Sequence, residues 1–456
     1  MSLGLTAEQV EQTSQNSLFS DKSWRWSPDP WVLPSELCQW IDDLCHAALG
    51  FYKGIDLLYR KSWEGQSILR NDECLVPWVA DYYDQGKPDW LVAHARSDEV
   101  RLSIPPVLRP DLIPHADGVS ITEWDSVPGG IGLTAHLEQL YKLSQSSQMI
   151  EYFGKALEDA AHDYGGKSAN MVIAVSEEAE TYRPEMEWIC EKLKEKGFSI
   201  WVCSPQDLEL VSDEVFYEGK KISLVYRFWE LFDFNNVSVM PELAKAVESK
   251  KVVVTPPMKH VQEEKLSLAL FHHHRLQPFW QETLRTKDLD ILRSAIPHTW
   301  ILDPKEIPPG AYLDGPIVKG RKLTQWNDLS KASKKERELV IKASGFHETA
   351  WGARSVVIGN DVSSEEWAET IASSLNHYPT PICVIQDFMK PRSFIHPVFS
   401  DQNEAVNESG RLRLSPYFFT FDKEAKWSGT LATFCPVDKK IIHGMKDGSL
   451  MPCLKA

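Results

Sequence analysis

Hydrophobic positions mark out elements along this chain before any chemistry is considered. Leu37, Ile41, Leu44 and Ala48 recur at helical spacing, which predicts a helix over 36–59. Between 166 and 256, short apolar runs alternate with amphipathic stretches. Strands are expected at 171–175 and 199–202, separated by a helix over 185–196 that puts Trp188, Ile189 and Leu193 on one face. Apolar runs at 221–226 and 252–254 continue the alternation, so the region reads as a parallel, crossover-type α/β lobe. The stretch 265–300 reads mainly as helix, and 304–316 as a proline-rich connection. Residues 1–34 read as an arm that Trp24, Trp26 and Trp31 can dock onto the body.

The segment 339–388 is the most informative. Leu339, Val340, Ile341 and Lys342 make an apolar strand with Lys342 at its exit, on the face shared with Val340. The loop 343–354 carries Gly345, Glu348, Gly352 and Arg354. Its glycines let backbone approach a ligand, Lys342 and Arg354 can neutralise phosphate oxygens, and Glu348 can hold magnesium against them. A return strand is expected at 355–359. Ser363 and Glu366 then form a capping box ahead of a helix with Trp367, Ile371 and Leu375 on one face. A buried strand at 382–388 ends in Gln386, Asp387 and Phe388, whose main-chain groups can meet an adenine edge. The same pattern also fits an ordinary β-loop-β-α-β unit with a solvated lysine.

A second cluster lies upstream. Arg109-Pro110-Asp111 precedes an extended segment in which Glu123 and Asp125 alternate, so their carboxylates share a face as a pair of magnesium ligands would. Pro128, Gly129 and Gly130 then turn the chain and expose amides suited to an anion. Taken alone, this cluster reads better as a turn with two solvated acids.

Composition narrows the classes. At 456 residues the chain exceeds a usual single core, so two or three lobes are expected. Sixty-five acidic against 49 basic side chains give a net charge of -16, which argues against nucleic acid and against an anionic membrane as partners. No run has the length of a bilayer span and the first twenty residues carry no signal-like apolar region, so a cytoplasmic address is expected. The eight cysteines show no zinc spacing, and Cys38 and Cys45 share a helical face as buried thiols would. The triplet His272, His273 and His274 reads as a packed or solvated cluster rather than a metal site, because neighbouring helical residues diverge.

Together the two clusters make the chain resemble the ATP-grasp superfamily, specifically eukaryotic-type glutathione synthetases and, more loosely, glutathionylspermidine synthases. Arg109-Pro110-Asp111 is similar to the family's Arg-x-Asp motif, and Glu123-Trp124-Asp125 to its Glu-x-Asn metal motif. The run Tyr182-Arg183-Pro184 looks like the family's basic patch, and the strand carrying Arg227 like its substrate-facing arginine strand. Lys265, with Lys259 as a competing choice, resembles the lysine ahead of the nucleotide lobe. Lys342 would be the ATP lysine, Glu348 the loop metal ligand, Gln386, Asp387 and Phe388 the adenine-facing hinge, and Arg413 the carboxylate arginine. The resemblance covers about 105–450. It departs from the family where Thr349-Ala350-Trp351-Gly352-Ala353 replaces a triple-glycine lid, and where Asp125 replaces asparagine.

The resemblance implies an α/β chain with a circularly permuted ATP-grasp fold, an inserted parallel α/β substrate lobe and a helical N-terminal region. The segments would be 1–104 (arm and helices), 105–165 (core with the metal-binding acids), 166–256 (substrate lobe) and 257–456 (ATP-binding lobes). It implies an ATP- and Mg2+-dependent carboxylate-amine ligase working through an acylphosphate, on small acid and amine substrates such as an amino acid, peptide or polyamine. A homodimer is compatible with it. In that reading Arg109, Lys342 and Arg354 act in catalysis, and Lys265, Lys342, Gln386, Asp387 and Phe388 hold ATP. Glu123, Asp125 and Glu348 hold magnesium, while Arg183, Arg227 and Arg413 hold substrate. A nucleotide-binding protein without ligase activity and a phosphotransferase using the same cleft are the alternatives.

Overall fold

The computed structural model describes residues 4–14, 18, 23–350, 352–438, 441–442 and 448–456. By internal contacts the chain divides into two units, Met1–Gly50 with Ser97–Met258 and Pro391–Ala456, and Phe51–Arg96 with Lys259–Lys390.

The first unit is built on a sheet with seven strands among the described residues, in the order Trp31–Leu33, Ser449–Lys455, Glu424–Pro436, Ala405–Phe421, Val107–His115, Gly118–Asp125, with Ser393–Phe399 also pairing to Ala405–Phe421. The pairing of Leu414 with Leu112 and Phe418 with Leu108 joins chain ends far apart in sequence. All four of these residues are fully buried, so apolar burial specifies the register. The strands after Lys390 therefore return to the first unit, and the expected segment 257–456 does not stay together. Trp24 and Trp26 of the expected arm are buried in this unit's core, and Trp31 pairs in parallel with Cys453.

The expected α/β lobe is also here. Asn170–Val175, Ser199–Cys203, Leu224–Phe228 and Val253–Thr255 form a sheet in which every pairing is parallel. The helix Arg183–Glu195 starts with proline in its first turn, where a missing N–H costs nothing. It buries Met186, Ile189, Cys190 and Leu193 at helical spacing. The expected strand at 221–226 is two strands. Lys220–Ile222 belongs to a small antiparallel sheet, and Leu224–Phe228 to the parallel one, because the Ser223 amide between them turns to Asn170 O at 2.9 Å.

In the second unit, Thr299–Leu302, Cys383–Asp387, Leu339–Ala343 and Val357–Ile358 form an antiparallel sheet in that order. Alternation sends Leu339, Ile341, Cys383 and Ile385 to one face, where Trp367 and Ile371 of the helix Ser364–Asn376 cover them. The capping box at Ser363 and Glu366 is formed in both directions. The return strand is shorter than expected, since the Ser355 and Val356 amides close turns onto Thr349 O and Ala353 O. The helix expected over 36–59, whose residues up to Gly50 belong to the first unit, spans Ser35–Trp63, slightly longer than its periodicity suggests. All eight cysteines are free thiols, and no helix among the described residues is long and apolar enough to cross a membrane.

Candidate functional site

In the first unit, antiparallel pairing sets Arg109 opposite Asp125 and Asp111 opposite Glu123, so all four side chains leave one face of the sheet. The neighbouring strand adds Arg413 and Ser415. Asp111, 2% exposed, accepts from Arg413 Nη1 at 3.0 Å and from Ser415 Oγ at 2.8 Å. It also lies 3.5 Å from Arg109 Nε. Arg109 donates to Asp125 Oδ2 at 2.8 Å and to Gly129 O at 2.9 Å. Burial works against the Arg109 charge, but the Asp125 and Asp111 carboxylates outweigh it and hold the guanidinium well above its ordinary pKa.

Glu123 and Asp125 offer an oxygen-only donor pair of the kind a hard divalent cation takes. Asp125 already accepts from Val127 N at 2.9 Å and from Arg109, so a cation there would use its second lone pairs. Among the described residues no three His, Cys, Asp or Glu side chains are grouped to hold a metal. The amides after the Pro128-Gly129-Gly130 turn are partly committed. Gly132 N donates to the buried Glu185 Oε1 at 3.0 Å, so the anion at this helix start is the protein's own carboxylate. Tyr417 donates to Gly129 O at 3.0 Å from beneath the turn.

Three donors in this cluster remain open. Arg109 Nε, Arg413 Nε and Tyr226 Oη are buried and make no hydrogen bond among the described residues, an arrangement that folded proteins rarely leave without a reason. Burial, with Asp125 adding to it, pushes the Tyr226 hydroxyl far up, so it stays a neutral donor.

The other two arginines expected at substrate are used by the fold. Arg227, 1% exposed, donates to Pro256 O at 2.8 Å, Trp229 O at 2.8 Å and Pro257 O at 3.1 Å. Arg183 grips Glu180 at 2.7 Å and Ser204 Oγ at 3.0 Å, tying a helix start to a strand end. Local sequence cannot separate these fates from that of Arg413.

The second unit holds the remaining expected residues. Lys342 is 7% exposed and, with Val340, Val384 and Gln386, leaves the sheet face opposite the apolar core. Lys265 is half-buried and reaches Ala350 O at 3.2 Å, which brings it to the loop that follows Lys342. Glu348 and Arg354 are exposed on that loop, and Trp351 lies outside the described residues. Gln386 Nε2 donates to Thr299 Oγ1 at 3.0 Å. The amides of Asp387 and Phe388 donate to His298 O at 2.9 Å and Glu338 O at 3.0 Å, so both expected hinge donors are engaged. Lys259, the competing lysine, pairs with Asp56 at 2.6 Å and is buried. Of the histidine triplet, His272 stacks on His298 at 4.6 Å, and burial holds the His272 and His273 imidazoles down at about 4.

Sequence reasoning missed Ser415, Tyr417 and Tyr226. The period-two run Arg411, Arg413, Ser415, Tyr417 is the signal that points to the first two.

Among solved structures, the chain is similar to a glutathione synthetase-like effector from Globodera pallida in apo form. The match has a TM-score of 0.57 and 12% identity, covering 94% of this chain and 90% of that one. A protein from Methylobacillus flagellatus, provisionally described as a gamma-glutamylcysteine synthetase, aligns with a TM-score of 0.41 and 9% identity over 78% of this chain and 81% of that one. No family model matches the chain. No curated protein matches it. The protein is thus a mixed α/β chain whose fold is similar, over 94% of its length, to that of a glutathione synthetase-like effector.

Proposed function

We propose that this chain is an ATP-dependent carboxylate-amine ligase on a permuted ATP-grasp fold, forming an amide through an acylphosphate. The observation that carries the reading is the charged face of Arg109, Asp111, Glu123, Asp125 and Arg413, with its unsatisfied buried donors Arg109 Nε, Arg413 Nε and Tyr226 Oη. Such donors suit the oxygens of an anionic substrate, and a guanidinium held by carboxylates is fixed in orientation before the substrate arrives. Arg109 is assigned to the forming acylphosphate and Arg413 to the substrate carboxylate. Lys265, Lys342 and Arg354 are assigned to the phosphates of ATP, where fixed positive charge lowers the barrier to phosphoryl transfer.

Glu123 and Asp125 are proposed to hold one magnesium ion, and Glu348 a second. When bound with nucleotide, such an ion supplies neutralisation of phosphate charge. The substrate carboxylate attacks the γ-phosphorus, ADP leaves, and an amine then displaces phosphate from the acyl carbon. The acid and amine are proposed to be small molecules, such as an amino acid, a peptide or a polyamine.

The test is ADP and phosphate release from Mg-ATP across a panel of amino acids, dipeptides and polyamines, with Lys342→Ala as control. Release that needs two co-substrates and vanishes in the variant supports the ligase. Turnover unchanged in Lys342→Ala removes the central assignment. A second reading, nucleotide binding without turnover, is favoured by the commitment of Arg227 to backbone carbonyls. ATP binding with no ADP release on any pair would place that reading ahead.

A further inference from the structure

The strand that carries Lys342 is tied to the segment that carries Lys265 by groups outside the proposed phosphate contacts. Ser344, with no exposed surface, follows directly on the strand Leu339–Ala343. Its carbonyl accepts the Lys265 N–H at 2.9 Å, and its Oγ accepts the Leu266 N–H at 2.8 Å. The same hydroxyl donates to Glu264 Oε2. Glu264 Oε1 in turn pairs with Lys87 Nζ at 2.6 Å, and the two side chains are 1% and 4% exposed. At Gly345 a Cβ would lie 2.6 Å from Glu263 O and 3.0 Å from the Glu264 carboxyl carbon, so only glycine allows this approach.

The geometry fixes one distance. Lys342 stands two residues before Ser344, and Lys265 one residue after Glu264, so the bonds from Ser344 to Glu264, Lys265 and Leu266 together hold the two lysine backbones at one separation. Stability is a weak explanation for the buried Lys87-Glu264 pair, because apolar residues of similar volume usually serve the fold as well or better. A carboxylate that must meet both a lysine and a hydroxyl does, however, hold two chain segments in a single register.

We propose that Glu264, clamped by Lys87 and bonded to Ser344, is a positioning residue that sets the separation of Lys265 and Lys342 for the phosphates of a nucleoside triphosphate. The proposal rests on the nucleotide reading given above.

The experiment uses the full chain and Mg-ATP. Binding by calorimetry, and KM and kcat for ATP, are measured for wild type, Ser344→Ala, Lys342→Ala and the double variant Lys87→Met/Glu264→Leu, each with a melting curve. The double variant removes both buried charges together, so no unpaired ion is left to unfold the protein. The expected result is ATP affinity weakened about tenfold in Ser344→Ala and in the double variant, with kcat changed much less, since misplaced groups lose ground they hold only in register. A double variant that melts like wild type yet still binds ATP weakly supports positioning. Wild-type ATP affinity in that variant or in Ser344→Ala, while Lys342→Ala is impaired, overturns the positioning role alone. Failure of the wild-type chain to bind Mg-ATP overturns the nucleotide reading and this proposal with it.

Discussion

Asp111 and Arg413, 302 residues apart in sequence, meet through a 3.0 Å bond from Nη1 to a carboxylate that is almost wholly buried. Asp111 also takes the Ser415 hydroxyl and faces Arg109, so its removal leaves two guanidinium groups without their shared counter-ion. Asp111→Ala is expected to lower the unfolding free energy by about 3 kcal/mol, read by chemical denaturation. Arg413→Ala, whose side chain is partly exposed, is expected to cost less stability and to raise KM for the carboxylate substrate. Arg227→Ala is expected to do the reverse, because its donors hold backbone carbonyls. Equal effects of the two arginine variants on KM would contradict this division of labour.

Gly130 has φ of 86°, and a Cβ there would stand 2.5 Å from the Tyr417 hydroxyl. Gly130→Ala therefore combines left-handed strain with a clash against a fully buried ring, and a loss of about 2 kcal/mol is expected. Thermal melting of this variant beside Gly310→Ala, where φ is also positive but nothing lies within 4 Å, separates the two contributions.

Ser363 accepts the Glu366 N–H at 3.1 Å while Glu366 accepts the Ser363 N–H at 2.9 Å. Ser363→Ala removes the first of these bonds from an exposed helix start, and the expected loss is about 1 kcal/mol. A melting temperature equal to wild type would show that the cap contributes nothing here.

Glu138 is buried, and that burial outweighs the pull of Lys455 and Gln145 to push its carboxyl up to about 8, from 4.5. Between those pH values the unfolded chain has released a proton that the folded chain keeps. The stabilising contribution is whole below pH 4.5 and is lost as pH rises through 8, at up to about 1.4 kcal/mol per unit. Glu138→Gln mimics the protonated form, so its stability should decline less between pH 5 and pH 8 (about two to three units are enough to see it). Parallel pH profiles for the two proteins would rule this out.

Much of the local structure was legible from residues alone. The capping box at Ser363, the helix through Ile41 and Leu44, and the alternation of strands and helices around Ile173 and Ile189 depend on spacing within a few residues. Backbone geometry converts such spacing directly into faces and ends. The shared face of Glu123 and Asp125 was legible for the same reason.

What spacing could not decide was partnership at a distance. Nothing near Leu414 states that it pairs with Leu112, and nothing around Arg413 and Arg227 states that one meets Asp111 while the other is spent on proline carbonyls. Those outcomes depend on which surfaces bury one another, a property of the whole chain. Residue spacing settles the elements and the chemistry each can offer. Which charges share a face and which amides are already taken is settled by folding, because a hydrogen bond depends on distance in space and not on position along the chain.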